Sequence, residues 1–372
     1  MKQPFNLCTK LVRWRIKFAD AFCGRIKETI SLETMSLDTM SLLTSYPEPD
    51  HLVTTIDWAI GDDALDLSVS MAGGMAAAIG NFDGVHLGHQ QLIKAAVKGA
   101  KESGLAPAVI SFSPHPRRFF SPDGKGFILS DEQDKAAFLG QLGVKYIIRL
   151  RFNDDMRTTS AEDFVTKVLP SLGVKALYAG TDFGFGNDRS GGMKMIAERG
   201  AGHGITAHPI DLIKGDEDIV SSTRIRAAIA EGDMGLAARL LGRPFIMSGT
   251  VIKGDQRGRT IGFPTANMTC GDMAIPAFGV YSISARLADH PDAPIYGGVA
   301  NLGIRPTAND RGVLLEANLF GYDGDLYGQR LNIFMLDFIR PEQAFNNFDE
   351  LKNQIEKDAE TARIFHQNHQ GQ

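Results

Sequence analysis

Cysteine is scarce in this chain: 372 residues hold three, Cys8, Cys23 and Cys270, set far apart. That excludes a disulfide framework and a paired zinc-ligand spacing, and it fits a reducing cytoplasm. No apolar run approaches the roughly 20 residues of a membrane-spanning helix. The apolar core of a secretory signal is missing too. Positive charge is also in short supply. Lys and Arg number 39 against 44 Asp and Glu, a formal net charge of −5, and a nucleic-acid binder would carry a basic footprint instead. The expected partners are therefore small molecules, with neither nucleic acid nor membrane among them. Self-association is compatible with this composition.

The first 45 residues differ from the rest. Residues 1–30 carry seven Lys/Arg against Asp20 and Glu28, and Leu11, Trp14, Phe18 and Phe22 fall on a helical stripe. An interfacial or targeting segment has that pattern. The plainer reading makes residues 1–72 a non-core, partly disordered N-terminal extension.

What the chain has is a glycine turn with two histidines, Gly80-Asn81-Phe82-Asp83-Gly84-Val85-His86-Leu87-Gly88-His89. The apolar run Met75 to Ile79 leads in as a strand, and a helical pattern from Gln90 to Glu102 leads out. Glycines let the backbone approach an anion, and a helix start offers free N–H groups and a positive dipole end. Imidazoles there can donate to phosphate oxygens as charge develops. The arrangement suits a nucleoside triphosphate.

Strands and helices then alternate. Ala106 to Ser111 reads as a strand ending in Ser113-Pro114-His115-Pro116-Arg117-Arg118, with both prolines holding the segment out of helix. Asp131 to Leu142 and Ser160 to Leu172 read as helices, and Val144 to Leu150, Val174 to Ala179 and Ile205 to Leu212 as strands. This rhythm predicts a doubly wound parallel sheet over residues 73–243. Ligands of such sheets gather at the carboxyl ends of strands. His115, Arg117 and Arg118 are thus placed to face the same phosphates as the glycine turn. Val220-Ser221-Ser222-Thr223-Arg224-Ile225-Arg226 opens a further helix, with hydroxyls as N-caps and arginines suited to phosphate.

Gly242-Arg243-Pro244 ends a helical pair and marks a boundary. Residues 244–372 change to short β-rich pieces, Phe245 to Ile252, Val280 to Leu287, Ile295 to Leu302, Leu314 to Phe320 and Arg330 to Phe338, as in a small barrel or sandwich. A helix from Asp349 to about Phe365 closes the chain, with Leu351, Ile355, Ala359 and Ala362 facing the core. Within the β part, the glycines of the stretch Gly249 to Arg259 permit a loop that wraps phosphate through backbone N–H groups, although Gly-Lys-Ser/Thr is absent and this is no Walker motif. Thr265 and Asn267 share a face if extended and offer two oxygens to Mg²⁺.

Together these motifs resemble the bacterial bifunctional riboflavin kinase/FAD synthetases over roughly residues 75–365. The adenylyltransferase part of the resemblance rests on residues 80–89, Ser-Pro-His-Pro-Arg at 113–117, Asp-Phe-Gly-Phe-Gly at 182–186 and Ser-Ser-Thr-Arg-Ile-Arg at 221–226. The kinase part rests on Gly-Arg-Thr-Ile-Gly-Phe-Pro-Thr-Ala-Asn at 258–267, Asn-Leu-Gly-Ile-Arg-Pro-Thr at 301–307, Leu-Glu-Ala-Asn-Leu-Phe at 315–320 and Asp-Leu-Tyr-Gly at 325–328.

The resemblance implies an N-terminal nucleotidyltransferase domain and a C-terminal small β-barrel riboflavin kinase domain with a terminal helix. ATP, riboflavin and FMN would be substrates and Mg²⁺ the cofactor. Glu316 would be the kinase base. His86, His89 and Arg226 would neutralise charge during adenylyl transfer. Gly80, Asn81, Phe82, Asp83, Gly88, His115, Ser222, Thr223, Gly254, Gly258 and Arg259 would contact ATP or phosphate. Asp182, Phe183, Phe185 and Arg305 would contact flavin, and Thr265 and Asn267 the metal. Gly184 departs from the family, where relatives often carry a larger residue such as Arg. Asn318 and Gly321 stand where the segment after the base often reads His and Asp. A nucleotidyltransferase with another acceptor would share His-x-Gly-His, and would leave Pro-Thr-Ala-Asn and Glu316 unexplained. A flavin-sensing protein on the same modules would be marked by loss of a chemical residue, and none is missing.

Overall fold

A computed structural model describes residues 53–62, 73–121, 126–211, 219–254, 263–288, 290, 293–304 and 312–370. All belong to the unit Thr39–Gln372.

Six parallel strands form the first sheet: β1 (Thr54–Trp58), β2 (Met75–Ile79), β3 (Ala106–Ser113), β4 (Tyr146–Arg151), β5 (Val174–Gly180) and β6 (Thr206–Ile210), in the order β1-β4-β3-β2-β5-β6. β2 is Met-Ala-Ala-Ala-Ile and buried at every position, as expected of a central strand covered on both faces. The order reverses between β2 and β5. That switch point opens a crevice at the carboxyl ends of the strands, where the glycine turn after β2 lies. β1 corrects the expected extension. Residues 54–58 pair in register with 146–150 of β4, so the sheet claims an edge strand from a stretch too short and too polar to announce itself. The remainder of the expectation for residues 1–72 falls mostly outside the described residues.

Helix α1 (Leu87–Ser103) follows the turn and ends on Gly104 in the left-handed region, φ 65°, a conformation that favours glycine. α2 (Pro116–Phe120) corrects the expectation that the prolines keep residues 113–118 out of helix. Pro116 stands at its first position with His115 as N-cap, where a missing N–H costs nothing. α3 (Glu132–Gln141) is capped by Asp131. The helix expected over residues 160–172 is interrupted by a π-turn, Phe164–Val168, whose exit N–H bonds back five residues to Phe164. Pro170 follows at once, and its missing N–H frees a carbonyl of the preceding turn. α4 (Ser222–Glu231) and α5 (Met234–Leu241) form the helical pair.

The second sheet is antiparallel, β7 (Phe245–Thr250), β8 (Ala266–Thr269), β9 (Gly279–Leu287), β10 (Tyr296–Ile304), β11 (Val313–Leu319) and β12 (Arg330–Pro341), in the order β7-β12-β9-β10-β11-β8. β8 is four residues long, and the sequence pattern does not single it out. Beyond β7, Ile252 bridges Asn267 of β8, which nearly closes the sheet into a barrel. α6 (Phe348–Gln370) covers the outer face, packing Ala359 and Ala362 against Val280 and Val299.

Two large apolar clusters organise the chain. One lies within the parallel sheet and its helices. The other fills the barrel with Tyr281, Ile283, Leu315 and Ile333 and continues without a break into Ile225, Ile229, Ala237 and Leu241 of the helical pair. The helices that read as the end of the first domain thus share the core of the second.

Candidate active sites

At the glycine turn, Phe82 and Val85 hold left-handed backbone at φ 50° and 40°. Non-glycine residues rarely do so, and such strain gathers at functional sites. The turn is pinned from outside by a residue the motif did not show. Arg243 donates to the Gly84 carbonyl at 2.7 Å and stacks its guanidinium over Phe138 at 3.7 Å. Gln90 donates to the carbonyls of Val85 and Leu241, each at 3.0 Å. In the sequence Arg243 looked like a boundary marker between glycine and proline, and nothing local betrays its reach to residue 84.

The imidazoles of His86 and His89 lie stacked, centroids 3.5 Å apart. His86 caps α1 by accepting the His89 N–H at Nδ1, 3.3 Å. An accepting Nδ1 leaves the proton on Nε2, so neutral His86 presents an Nε2 donor. Gly88 permits the ring's approach, since a Cβ there would lie 3.3 Å from it. His115 repeats the device: its Nδ1 accepts from Arg117 N–H at 3.1 Å, so its Nε2 also carries the proton. Burial, then Arg243 and Arg226, pulls His86 down to about 4. Burial, then Arg226, Lys135 and Arg117, takes His115 to about 4. His89 falls well below the usual imidazole range through burial, then through His86, Arg243, Lys135 and Arg226. All three are neutral donors at neutral pH, and all three feel Arg226. His89 Nδ1 and Asn81 Oδ1 are buried without a hydrogen-bond partner, orphans that a bound ligand would satisfy.

Three of the expected phosphate contacts have other work. Phe82 is fully buried, edge-on to His89 at 5.2 Å. The Gly80 N–H is spent on the Ile110 carbonyl at 3.1 Å. Asp83 is 6% exposed. One of its carboxylate oxygens forms an ion pair with Arg226, and the other accepts the Leu129 and Ser130 N–H groups at 2.8 and 3.4 Å. A carboxylate facing triphosphate would repel it; here its charge is directed at a cation. Burial raises the Asp83 carboxyl and Arg226 opposes that rise. Arg226 further donates through Nε to the Phe127 carbonyl at 2.8 Å, with its guanidinium 3.8 Å above the Phe127 ring. Phe127, another residue missed in the sequence, also meets Arg117 at 5.1 Å and His115 at 5.1 Å. Ser222 donates its hydroxyl to the Asp83 carbonyl at 3.2 Å, while Thr223 is exposed. Arg118 leaves the expected phosphate group altogether and pairs with Asp272.

After β5, Asp182 is exposed and Phe183 half-buried. Phe185 is a core residue, 5.2 Å from Phe164 and folded over Gly191, where a Cβ would collide with its ring at 2.5 Å. Of the three, Asp182 and Phe183 retain open surface for a flavin. A Cβ at Gly184 would lie 3.6 Å from the Arg189 guanidinium.

In the barrel, register decides. Glu316 on β11 stands opposite Asn267 on β8 and Asn301 on β10, so the three share the face away from the core. Thr265, Asn267, Asp323, Asp325, Tyr322 and Tyr327 line a cavity of about 320 Å³. Glu316 is absent from that lining, one residue before Ala317, which belongs to it; Asn267 joins the two. A Cβ at Gly254 would lie 2.5 Å from the Asn267 amide, so only glycine fits there without displacing it. Gly258, Arg259 and Arg305 lie outside the described residues. Among the described residues no cluster of three or more His, Cys, Asp or Glu is suited to a metal. Thr, Asn and Asp oxygens at the cavity do fit Mg²⁺, a hard cation that binds through one or two protein oxygens together with substrate phosphates.

Comparison with known proteins agrees with this two-site architecture. Residues 69–224 match the FAD synthetase family and residues 241–366 the riboflavin kinase family. A bifunctional riboflavin kinase/FMN adenylyltransferase from Pseudomonas fluorescens is 40% identical over 78% of this chain and 92% of its own length. That from Haemophilus influenzae is 40% identical over 78% and 94%, and that from Escherichia coli 36% over 81% and 95%. A solved Streptococcus pneumoniae chain described as a macrolide-efflux protein superposes with a TM-score of 0.72 at 28% identity, covering 84% of this chain and 99% of its own.

A parallel-sheet nucleotidyltransferase joined to a flavokinase barrel is thus the class of enzyme defined by fold and sites. The chain belongs to the bifunctional riboflavin kinase/FMN adenylyltransferase family. It converts riboflavin to FMN and FMN to FAD with ATP. Among the described residues no helix is long and apolar enough to cross a membrane.

Proposed function

We propose that the two reactions divide between the sites as follows. In the barrel, the ribityl 5′-hydroxyl of riboflavin attacks the γ-phosphorus of ATP, Glu316 accepts the hydroxyl proton, and the γ-phosphorus–oxygen bond to ADP breaks. An alcohol is a poor nucleophile until its proton has somewhere to go. Thr265 and Asn267 hold Mg²⁺ at the cavity, with Gly254 leaving room for the Asn267 amide. The ion supplies charge neutralisation across the phosphate oxygens.

In the sheet domain, a phosphate oxygen of FMN attacks the α-phosphorus of a second ATP, and pyrophosphate leaves. His86, His89 and His115 donate hydrogen bonds as neutral imidazoles, and Arg226 brings the full positive charge. Preorganised donors aimed at developing charge lower the barrier because they need no reorganisation. The flavin of FMN lies towards Asp182 and Phe183 at the neighbouring strand end. Phe82 and Asp83 act from beneath, supporting His89 and Arg226 respectively. The buried, reduced Cys270 thiol, pushed up to about 12 by burial, fits a cytoplasmic enzyme.

The observation that carries the assignment is the separation of chemistry: imidazoles and Arg226 gather at the carboxyl edge of one sheet, Glu316 and Asn267 in register on the other. Glu316→Ala should abolish FMN formation and leave FAD formation from supplied FMN. His89→Ala should do the reverse. Chromatography of the flavins after incubation with riboflavin, ATP and Mg²⁺ reads both. Loss of both activities in either folded variant would sink the two-site assignment.

A further inference from the structure

Arg226 is set by Asp83 and by the Phe127 ring and carbonyl, and Asp83 is itself tied to Leu129 and Ser130. The segment Phe127–Ser130 thus carries much of the geometry of this cation, yet it belongs to no strand of the parallel sheet. The barrel holds it. The N–H groups of Phe127 and Ile128 both donate to the Asp272 carbonyl, at 2.8 and 2.9 Å, and Ala274 N–H donates to the Ile128 carbonyl at 2.7 Å. Ile128 and Met273 form a short parallel bridge. The Asp272 carboxylate grips Arg118 with two bonds, 2.8 and 2.5 Å, which fixes the far end of β3 and α2 to the same barrel loop. Gly126 lies against Ile275, where a Cβ would come within 3.0 Å.

We propose that Asp272, a residue of the kinase barrel, is a positioning residue for adenylyl transfer: it anchors the segment on which Arg226 is seated. The inference rests on Arg226 acting in that reaction. Asp272 touches neither substrate nor reacting atoms. Its carbonyl sets the height of Phe127, and with it the plane against which the guanidinium stacks. Its carboxylate keeps Arg118, and the loop bearing His115 and Arg117, in register with that plane. A bidentate pair fixes direction as well as distance. A displacement of about 1 Å in a catalytic group can cost as much as roughly 100-fold in rate, so loosening one anchor should be legible in kcat.

The test uses the full-length enzyme with supplied FMN, ATP and Mg²⁺, measuring FAD formation, and riboflavin phosphorylation as an internal control. Asp272→Ala should lower kcat for FAD formation about tenfold, with KM for FMN and ATP and the kinase rate unchanged. Arg226→Ala should cost about 100-fold, and adding Asp272→Ala to it should cost clearly less than the tenfold it costs alone, because only the loop bearing His115 is then left to position. The swap Arg118→Asp with Asp272→Arg should recover most of the rate lost by Asp272→Arg alone. Full activity of Asp272→Ala, an equal further loss on the Arg226→Ala background, or a parallel loss of kinase activity would each overturn the proposal. Full activity of Arg226→Ala would overturn the assignment of Arg226 itself, and the proposal with it.

Discussion

The two sites solve the same electrostatic problem by different construction. In the proposed sheet-domain site, charge on phosphate is met by buried and half-buried side chains that hold one another: two stacked imidazoles, a third capping a separate helix, and an arginine seated between a carboxylate and an aromatic ring. Its residues come from positions 81–89, 115–117, 127–130, 222–226 and 243. In the barrel, the chemistry lies along a single rung, Asn267 beside Glu316 beside Asn301, fixed by strand register, next to an open cavity of about 320 Å³. The first arrangement is assembled over long range and tolerates little displacement. The second is inherited from the ladder of backbone hydrogen bonds, which sets where each side chain starts.

That contrast can be broken by mutation. Glu316→Gln keeps shape and register and removes the base; kinase kcat should fall about 10²- to 10⁴-fold, with thermal stability and FAD formation from FMN unchanged. If stability fell with it, the barrel site would be as interlocked as the other. Asp83→Ala should behave in the opposite way. It strands Arg226 and leaves the Leu129 N–H unpaired, so unfolding in urea should show a loss of about 3–5 kcal/mol, the range for breaking a buried pair, alongside weakened adenylyl transfer. Gly254→Ala forces the Asn267 amide aside, and kinase kcat should drop about tenfold while FAD formation from FMN holds.

The last prediction concerns pH. His86 and His115 are both held near 4 against an unperturbed 6.5. They remain neutral in the fold while the unfolded chain takes up protons. Stability is therefore full above about 6.5 and declines as the pH falls towards 4, because the unfolded state binds more protons there. By the same reasoning FAD formation should show no inflection near 6.5 beyond that of the substrate phosphates, which titrate at about 6, and one that disappeared on replacing His86 or His115 would mean that a histidine acts as a cation.

Much of this was legible in the sequence wherever function rests on a local pattern. Residues 80–89 announce a strand, a turn and a helix start, and Thr265, Asn267 and Glu316 stand in compact motifs. What sequence could not tell was which motif residues face the ligand. Phe82 and Asp83 lie inside the glycine motif, yet their side chains serve His89 and Arg226, because the left-handed backbone at Phe82, Gly84 and Val85 folds the turn in on itself. Phe185 reads like Phe183 but is closed over by Gly191. Phe127, Arg243 and Asp272 carry no local signal, since their roles depend on partners 99, 159 and 154 residues away. Likewise β1 and β8 are short strands recognisable only by the neighbours they pair with.

The unbroken apolar cluster between the helical pair and the barrel has a consequence for cooperativity. The family matches stop at residue 224 and resume at 241, and the intervening helices bury Ile225, Ile229, Ala237 and Leu241 in the barrel's core. No cut through this stretch yields two intact halves: severed after residue 243, the first fragment would carry a bare hydrophobic face into water and the second would lose part of its filling. Two activities that look separable on paper are thus bound to melt as one.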